Sequence, residues 1–98
     1  ALSSAASDVY KRQVIFSCKA LDEKLGVMES QEAFGTAKKA MLDSGRKKIL
    51  VVDNTKFDQT AFSVAGKLRD IDIIVTDEKP SDKWLQLFEE VGVECRYP

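Results

Sequence analysis

Histidine is missing altogether from the 98 residues, and the only two cysteines, Cys18 and Cys95, lie far apart without CxxC spacing. That scarcity excludes a zinc site of the usual kind and any Cys–His nucleophilic pair, so no metal and no cofactor are expected. Both cysteines read as reduced core thiols, which fits a cytoplasmic protein. No apolar run reaches the roughly 18 residues that a spanning helix needs, and the N-terminus lacks the basic-then-apolar order of a signal peptide, so no membrane partner is expected. Charge of one sign is also lacking. Fifteen Lys and Arg against sixteen Asp and Glu leave a net charge of −1, too little to attract nucleic acid or anionic lipid, so any DNA contact must be made by chain outside this segment.

What is present fits one modest domain. Hydrophobic residues make up 44% and charged residues 32% of the chain, and a chain this short buries only about 60–65% of its unfolded surface. The first thirteen residues, "ALSSAASDVYKRQ", are small, Ser-rich and without period; they read as a non-native or disordered tail with no function. From Val14 onward, continuous β-branched runs at Val14–Cys18 ("VIFSC"), Lys48–Asp53 ("KILVVD") and Ile71–Thr76 ("IDIIVT") predict strands covered on both faces. Helical spacing appears in Ala33, Ala37, Ala40 and Met41, then in Ala61, Val64, Ala65 and Leu68, and again in Trp84, Leu87, Phe88 and Val91.

Ser44-Gly45 should close the first helix and Gly66 interrupt or end the second. Pro80-Ser81 should open the third with a hydroxyl cap, and Gly92 should stop it. Val93, Cys95 and Tyr97 alternate with Glu94 and Arg96, as in an edge strand with one wet face. The expected fold is α/β, with three layers around a mostly parallel sheet in the order β-α-β-α-β-α-β, a Rossmann-like partial domain.

In open parallel sheets, ligands bind beyond the carboxyl ends of the strands, where loop amides and helix N-termini converge. Three strands deliver polar residues there: Ser17 and Cys18 after the first; Asp53, Asn54, Thr55 and Lys56 after the second; Thr76 and Asp77 after the third. A lysine among small hydroxyl and amide side chains suits an anion, phosphate above all, and the nearby carboxylates suit sugar hydroxyls. On spacing alone, an Asx-turn beside a solvated lysine is an equal reading.

The combined pattern is more specific. Lys38–Leu42 ("KKAML"), Asp53–Phe57 ("DNTKF"), Asp70–Asp77 ("DIDIIVTD") and Gly92–Cys95 ("GVEC") occur in the order of a helix, a D-x-x-K-F turn, a "TD" strand end and a last strand. Together with the upstream "SCKALDEKLGVMESQEA", they resemble the C-terminal part of the effector-sensing domain of DeoR-family transcriptional regulators, from about Val14 to the end. Two positions depart from the family pattern: Ala20 stands for a glycine, and Phe34-Gly35 for an acidic and a small residue.

The resemblance implies a sensor distantly related to sugar-phosphate isomerases. In it a phosphorylated sugar or related metabolite controls DNA binding by a winged helix-turn-helix outside residues 14–98, within a full-length protein expected to be a homo-oligomer. It places Asp53 and Lys56 at the family's D-x-x-K positions and Thr76-Asp77 at its T-D. The first half of the sensing domain, with its glycine-rich phosphate-holding stretch, is also expected to lie outside this chain.

Other readings remain. Asp53 ends a strand as a receiver-domain phosphoacceptor would, but "VIFSCKALD" has no acidic pair where a receiver needs one. An isomerase-like enzyme would use Asp53 or Asp77 as base, though without histidine or an evident nucleophile no turnover is expected. The plainest alternative is a structural α/β fragment without binding of its own.

Overall fold

The computed structural model describes residues 13–43 and 46–98, apart from the side chains of residues 33 and 34. Of the proposed tail at residues 1–13, all but Gln13, which opens the first strand, lies outside the described residues, as does the Ser44-Gly45 stop signal. In chain order the elements are β1 (Gln13–Phe16), β2 (Ala20–Asp22), β3 (Gly26–Glu29), α1 (Glu32–Leu42) and β4 (Lys47–Val51). After them come a 3-10 turn (Asn54–Lys56), β5 (Ser63–Gly66), a second 3-10 turn (Leu68–Asp70), β6 (Ile73–Val75), α2 (Asp82–Val91) and β7 (Glu94–Arg96).

The continuous apolar runs do form a parallel sheet, ordered β1-β4-β6-β7. Its register sets Phe16 beside Leu50, and Leu50 beside Ile74. All three are buried and share one core cluster with Trp84 and Phe88 of α2. Each fully buried side chain of this size contributes about 1.5–3 kcal/mol, so α2 is held mainly by its apolar stripe. On the opposite face of the strands the pattern reverses, and Ile15 and Val51 are exposed. Helix α2 ends where its sequence says it should: Gly92 adopts φ 80°, a left-handed cap that its missing Cβ makes inexpensive. Ser81 occupies the N-cap position, but its hydroxyl makes no capping hydrogen bond.

A second, antiparallel sheet, ordered β2-β3-β5, has no counterpart in the sequence reading. Asp22 closes the β2–β3 turn by accepting hydrogen bonds from the backbone N–H groups of Lys24 (2.9 Å) and Leu25 (2.8 Å). Helix α1 packs against β5 and β3. Gly35 lies at that contact, where a Cβ would meet the Ser63 hydroxyl and make it turn aside.

The α/β class and the mostly parallel sheet are as expected; the second expected helix is not. Residues 63–66 form β5, and a 3-10 turn follows at Leu68–Asp70. Ala65 and Leu68 are buried as the helical stripe required, but Val64 points outward with 49% exposure. Strand alternation and a tight turn bury the same two residues. Pairing of Met28 with Val64 and Glu29 with Ser63 decides between them, since Ser63, the β-branched Val64 and Gly66 are weak helix formers.

Candidate functional site

The parallel register brings the polar strand ends to one edge. Val51 pairs with Val75 and Phe16 with Leu50, so the residues following each strand emerge side by side. Asp53 caps the first 3-10 turn: its Oδ1 accepts from the Thr55 backbone N–H at 2.9 Å and from the Thr55 hydroxyl. Those hydrogen bonds, with a smaller contribution from Lys56, hold the Asp53 carboxyl below its ordinary value. Asp77 locks the turn from the neighbouring strand, accepting from the Asn54 backbone N–H at 2.8 Å and from the Thr76 hydroxyl at 3.4 Å. The Asn54 side-chain amide donates to the Glu78 carboxylate. Asp53, Asn54, Thr55, Thr76 and Asp77 therefore form one connected cluster, and much of its hydrogen-bonding capacity is spent on its own shape.

Lys56 is different. Its ammonium lies 4.0 Å from Asp53 Oδ2, outside hydrogen-bonding distance, and its side chain is only partly exposed. The next residue, Phe57, anchors the turn by packing against Trp84 and Phe88 and by bridging to Leu21. The strand end thus projects a cation from a rigid base.

Cys18 is buried, and its thiol donates to the Ala20 carbonyl at 3.4 Å. Burial first, then the Glu29 carboxylate, push that thiol up to about 12, while the ammonium groups of Lys38 and Lys56 act in the opposite direction. Cys18 and Lys56 thus lie near enough to act on one another electrostatically. Ser17 is exposed on the same edge.

Two residues of this region escaped the sequence reading. Glu29, the last residue of β3, is buried, and its Oε1 lies 3.3 Å from Lys38 Nζ on α1. A signal was there: "GVME" ends an apolar run in a carboxylate, as "KILVVD" does.

Open hollows adjoin the cluster. One of about 340 Å³ lies over the ends of β4 and β6, lined by Val51, Val52, Asp53, Val75, Thr76 and Asp77. Another of about 240 Å³ lies between Asn54, Glu78 and the start of α2. Among the described residues, no three His, Cys, Asp or Glu side chains are arranged to hold a metal ion, and no helix is long and apolar enough to cross a membrane.

Comparison with known proteins shows which family the sequence resembles. Over 69 residues the chain is 29% identical to the HTH-type transcriptional repressor GlcR of Bacillus subtilis (strain 168), covering 70% of this chain and 27% of that protein. Over 76 residues it is 26% identical to the L-fucose operon activator of Haemophilus influenzae (strain ATCC 51907 / DSM 11121 / KW20 / Rd), covering 78% of this chain and 30% of that protein. The chain spans less than a third of the length of these relatives. Residues 2–78 match the family described as the DeoR C-terminal sensor domain. That is well over half of the sequence, and the chain belongs to this family.

Proposed function

We propose that this chain is the effector-sensing part of a cytoplasmic transcriptional regulator of sugar metabolism. It takes a phosphorylated sugar or related metabolite at the carboxyl edge of the parallel sheet. Lys56 meets the phosphate, Ser17 and Cys18 flank it, and the Asp53-Asn54-Thr55 turn with Thr76-Asp77 shapes the edge and receives sugar hydroxyls. DNA is bound by another part of the full-length homo-oligomer, and no cofactor takes part. The observation that carries this reading is the position of Lys56, a weakly paired ammonium on a turn whose other polar groups already satisfy one another. One relative is named as a repressor and the other as an activator, so the reading concerns sensing and leaves the sign of regulation open.

An isomerase-like role is less well supported. A general base works best with its pKa near the operating pH, whereas the hydrogen bonds from Thr55 shift Asp53 downward.

The experiment is to measure operator-DNA binding by the full-length protein in the presence of a panel of sugar phosphates and their unphosphorylated parents. Some phosphorylated members should change DNA affinity while their parents do not. Equal effects of each pair, or steady isomerisation of an aldose or ketose phosphate, would refute the proposal.

A further inference from the structure

The Glu29–Lys38 pair sits where the fold does not require charge. An ion pair removed from water gives little net stability compared with packed apolar side chains of similar volume, because desolvation offsets the attraction. Yet Glu29 is only 6% exposed, and the Lys38 side chain keeps 20% of its surface open. The pair also lies beside the edge described above. The Lys19 backbone N–H donates to the Met28 carbonyl at 3.0 Å, which lays the end of β3 along the segment that leaves β1. Leu21 in turn bridges to Phe57, next to Lys56.

We propose that Lys38 is a second cationic contact for the ligand's phosphate, and that Glu29 is an internal stand-in for that anion, holding Lys38 in place until the phosphate displaces it. This rests on the reading of the edge as a phosphate-sensing site. The two ammonium groups belong to different elements, Lys56 to the turn after β4 and Lys38 to α1, where it meets Glu29 at 3.3 Å, and both act on the same buried thiol of Cys18. Cys18 is neutral at physiological pH, so the charges that act on it are two cations and Glu29, with the Asp53 and Asp77 carboxylates farther along the same edge. A phosphate group carrying about −1.5 to −2 charges answers two ammonium groups better than one carboxylate does. The carboxylate that orders Lys38 also repels the incoming anion, so it lowers affinity while preserving the geometry. Displacing it would free the end of β3 from α1 and carry occupancy of the edge into the antiparallel sheet.

The test titrates inorganic phosphate and a hexose 6-phosphate into the full-length protein and four variants: Lys56→Met, Glu29→Gln, Glu29→Gln/Lys38→Met and Glu29→Gln/Lys38→Gln. The double variants leave no unpaired buried charge, and the second keeps an amide–amide hydrogen bond in case the first folds poorly. Glu29→Gln should bind several-fold more tightly than the parent, and either double variant should lose at least tenfold relative to Glu29→Gln. In the unsubstituted protein, saturating hexose 6-phosphate should slow reductive methylation of Lys38 as well as Lys56. Equal affinities for Glu29→Gln and the double variants, or methylation of Lys38 that ignores the ligand, overturn the role of Lys38. If Lys56→Met still binds more weakly in that case, the edge reading survives. Unchanged binding by Lys56→Met removes both.

Discussion

Phe57 meets Trp84 edge-on, with ring centroids 5.1 Å apart and planes inclined at 66°. This contact joins the turn that carries Lys56 to helix α2, and Phe88 extends it with a centroid 6.2 Å from Phe57. The Trp84 indole N–H is buried without a hydrogen-bond partner, although the Asp58 carboxylate lies close enough to be affected by it. Since this is the chain's one tryptophan, its fluorescence reports directly on the joint. Phe57→Ala should destabilise the protein by about 2–4 kcal/mol, less than the roughly 3–5 kcal/mol usual for a buried phenylalanine because Phe57 is half-buried. Urea unfolding followed by Trp84 emission measures the loss. An unchanged midpoint would mean that the turn is held by its hydrogen bonds alone.

Lys83 links α2 to two other segments, with its ammonium 2.9 Å from Asp58 and 3.2 Å from Glu23. Asp58 is held below its ordinary 3.8, chiefly by Lys83, and Lys83 is held above its ordinary 10.5, chiefly by Asp58 and then Glu23. The depressed carboxyl contributes stability above 3.8 that fades as pH falls through its folded pKa. The raised ammonium contributes stability below 10.5 that fades as pH rises through its folded pKa. Thermal melts should therefore show a plateau between these limits, with Asp58→Asn shallowing both flanks. Asparagine tolerates the φ of 60° at this position, so the comparison isolates charge. Identical pH profiles for the two proteins would remove the link.

The Cys18 thiol, buried and pushed up to about 12, carries almost no thiolate at neutral pH. Cys95 is half-buried and also raised by burial. In the native protein a disulfide reagent at pH 8 should react slowly with both, and Cys18 should become reactive only as the chain unfolds. Rapid native modification of Cys18, read by mass spectrometry, would contradict the burial described.

Ile15 and Val51 lie on one face of the parallel sheet, exposed by 61% and 43%. Parallel strands are normally covered on both faces, and among the described residues β1 pairs with β4 alone. The 98-residue chain by itself should self-associate, and Ile15→Lys/Val51→Lys should reduce that. Light scattering after size exclusion checks it; a concentration-independent monomer would be the contrary result.

Strand runs such as "ILVV" and "IIV" announced the parallel sheet because apolar residues on both faces leave no polar alternation to misread, even though Val51 is exposed here. Trp84, Leu87, Phe88 and Val91 announced α2 because four large apolar residues share one period. The antiparallel sheet was illegible for the opposite reason. β2 and β5 are three and four residues long, and their strand character comes from pairing with β3. Ala65 and Leu68 fit a helix stripe and a strand-plus-turn equally well. At the candidate site, the turn from Asp53 to Lys56 could be read from its residue types. The approach of Glu29 and Lys38 could not, because it depends on how α1 crosses β3.

Lys56 is the residue on which phosphate sensing depends most directly in this proposal. Isothermal titration of a hexose 6-phosphate into full-length protein and its Lys56→Met variant, with the unphosphorylated hexose as control, measures its contribution. A charge-assisted contact of about 1.5–3 kcal/mol predicts a loss of roughly ten- to hundredfold in affinity for the phosphate, with little change in stability. Equal affinity in the two proteins would contradict the assignment of the strand-end lysine as the phosphate contact.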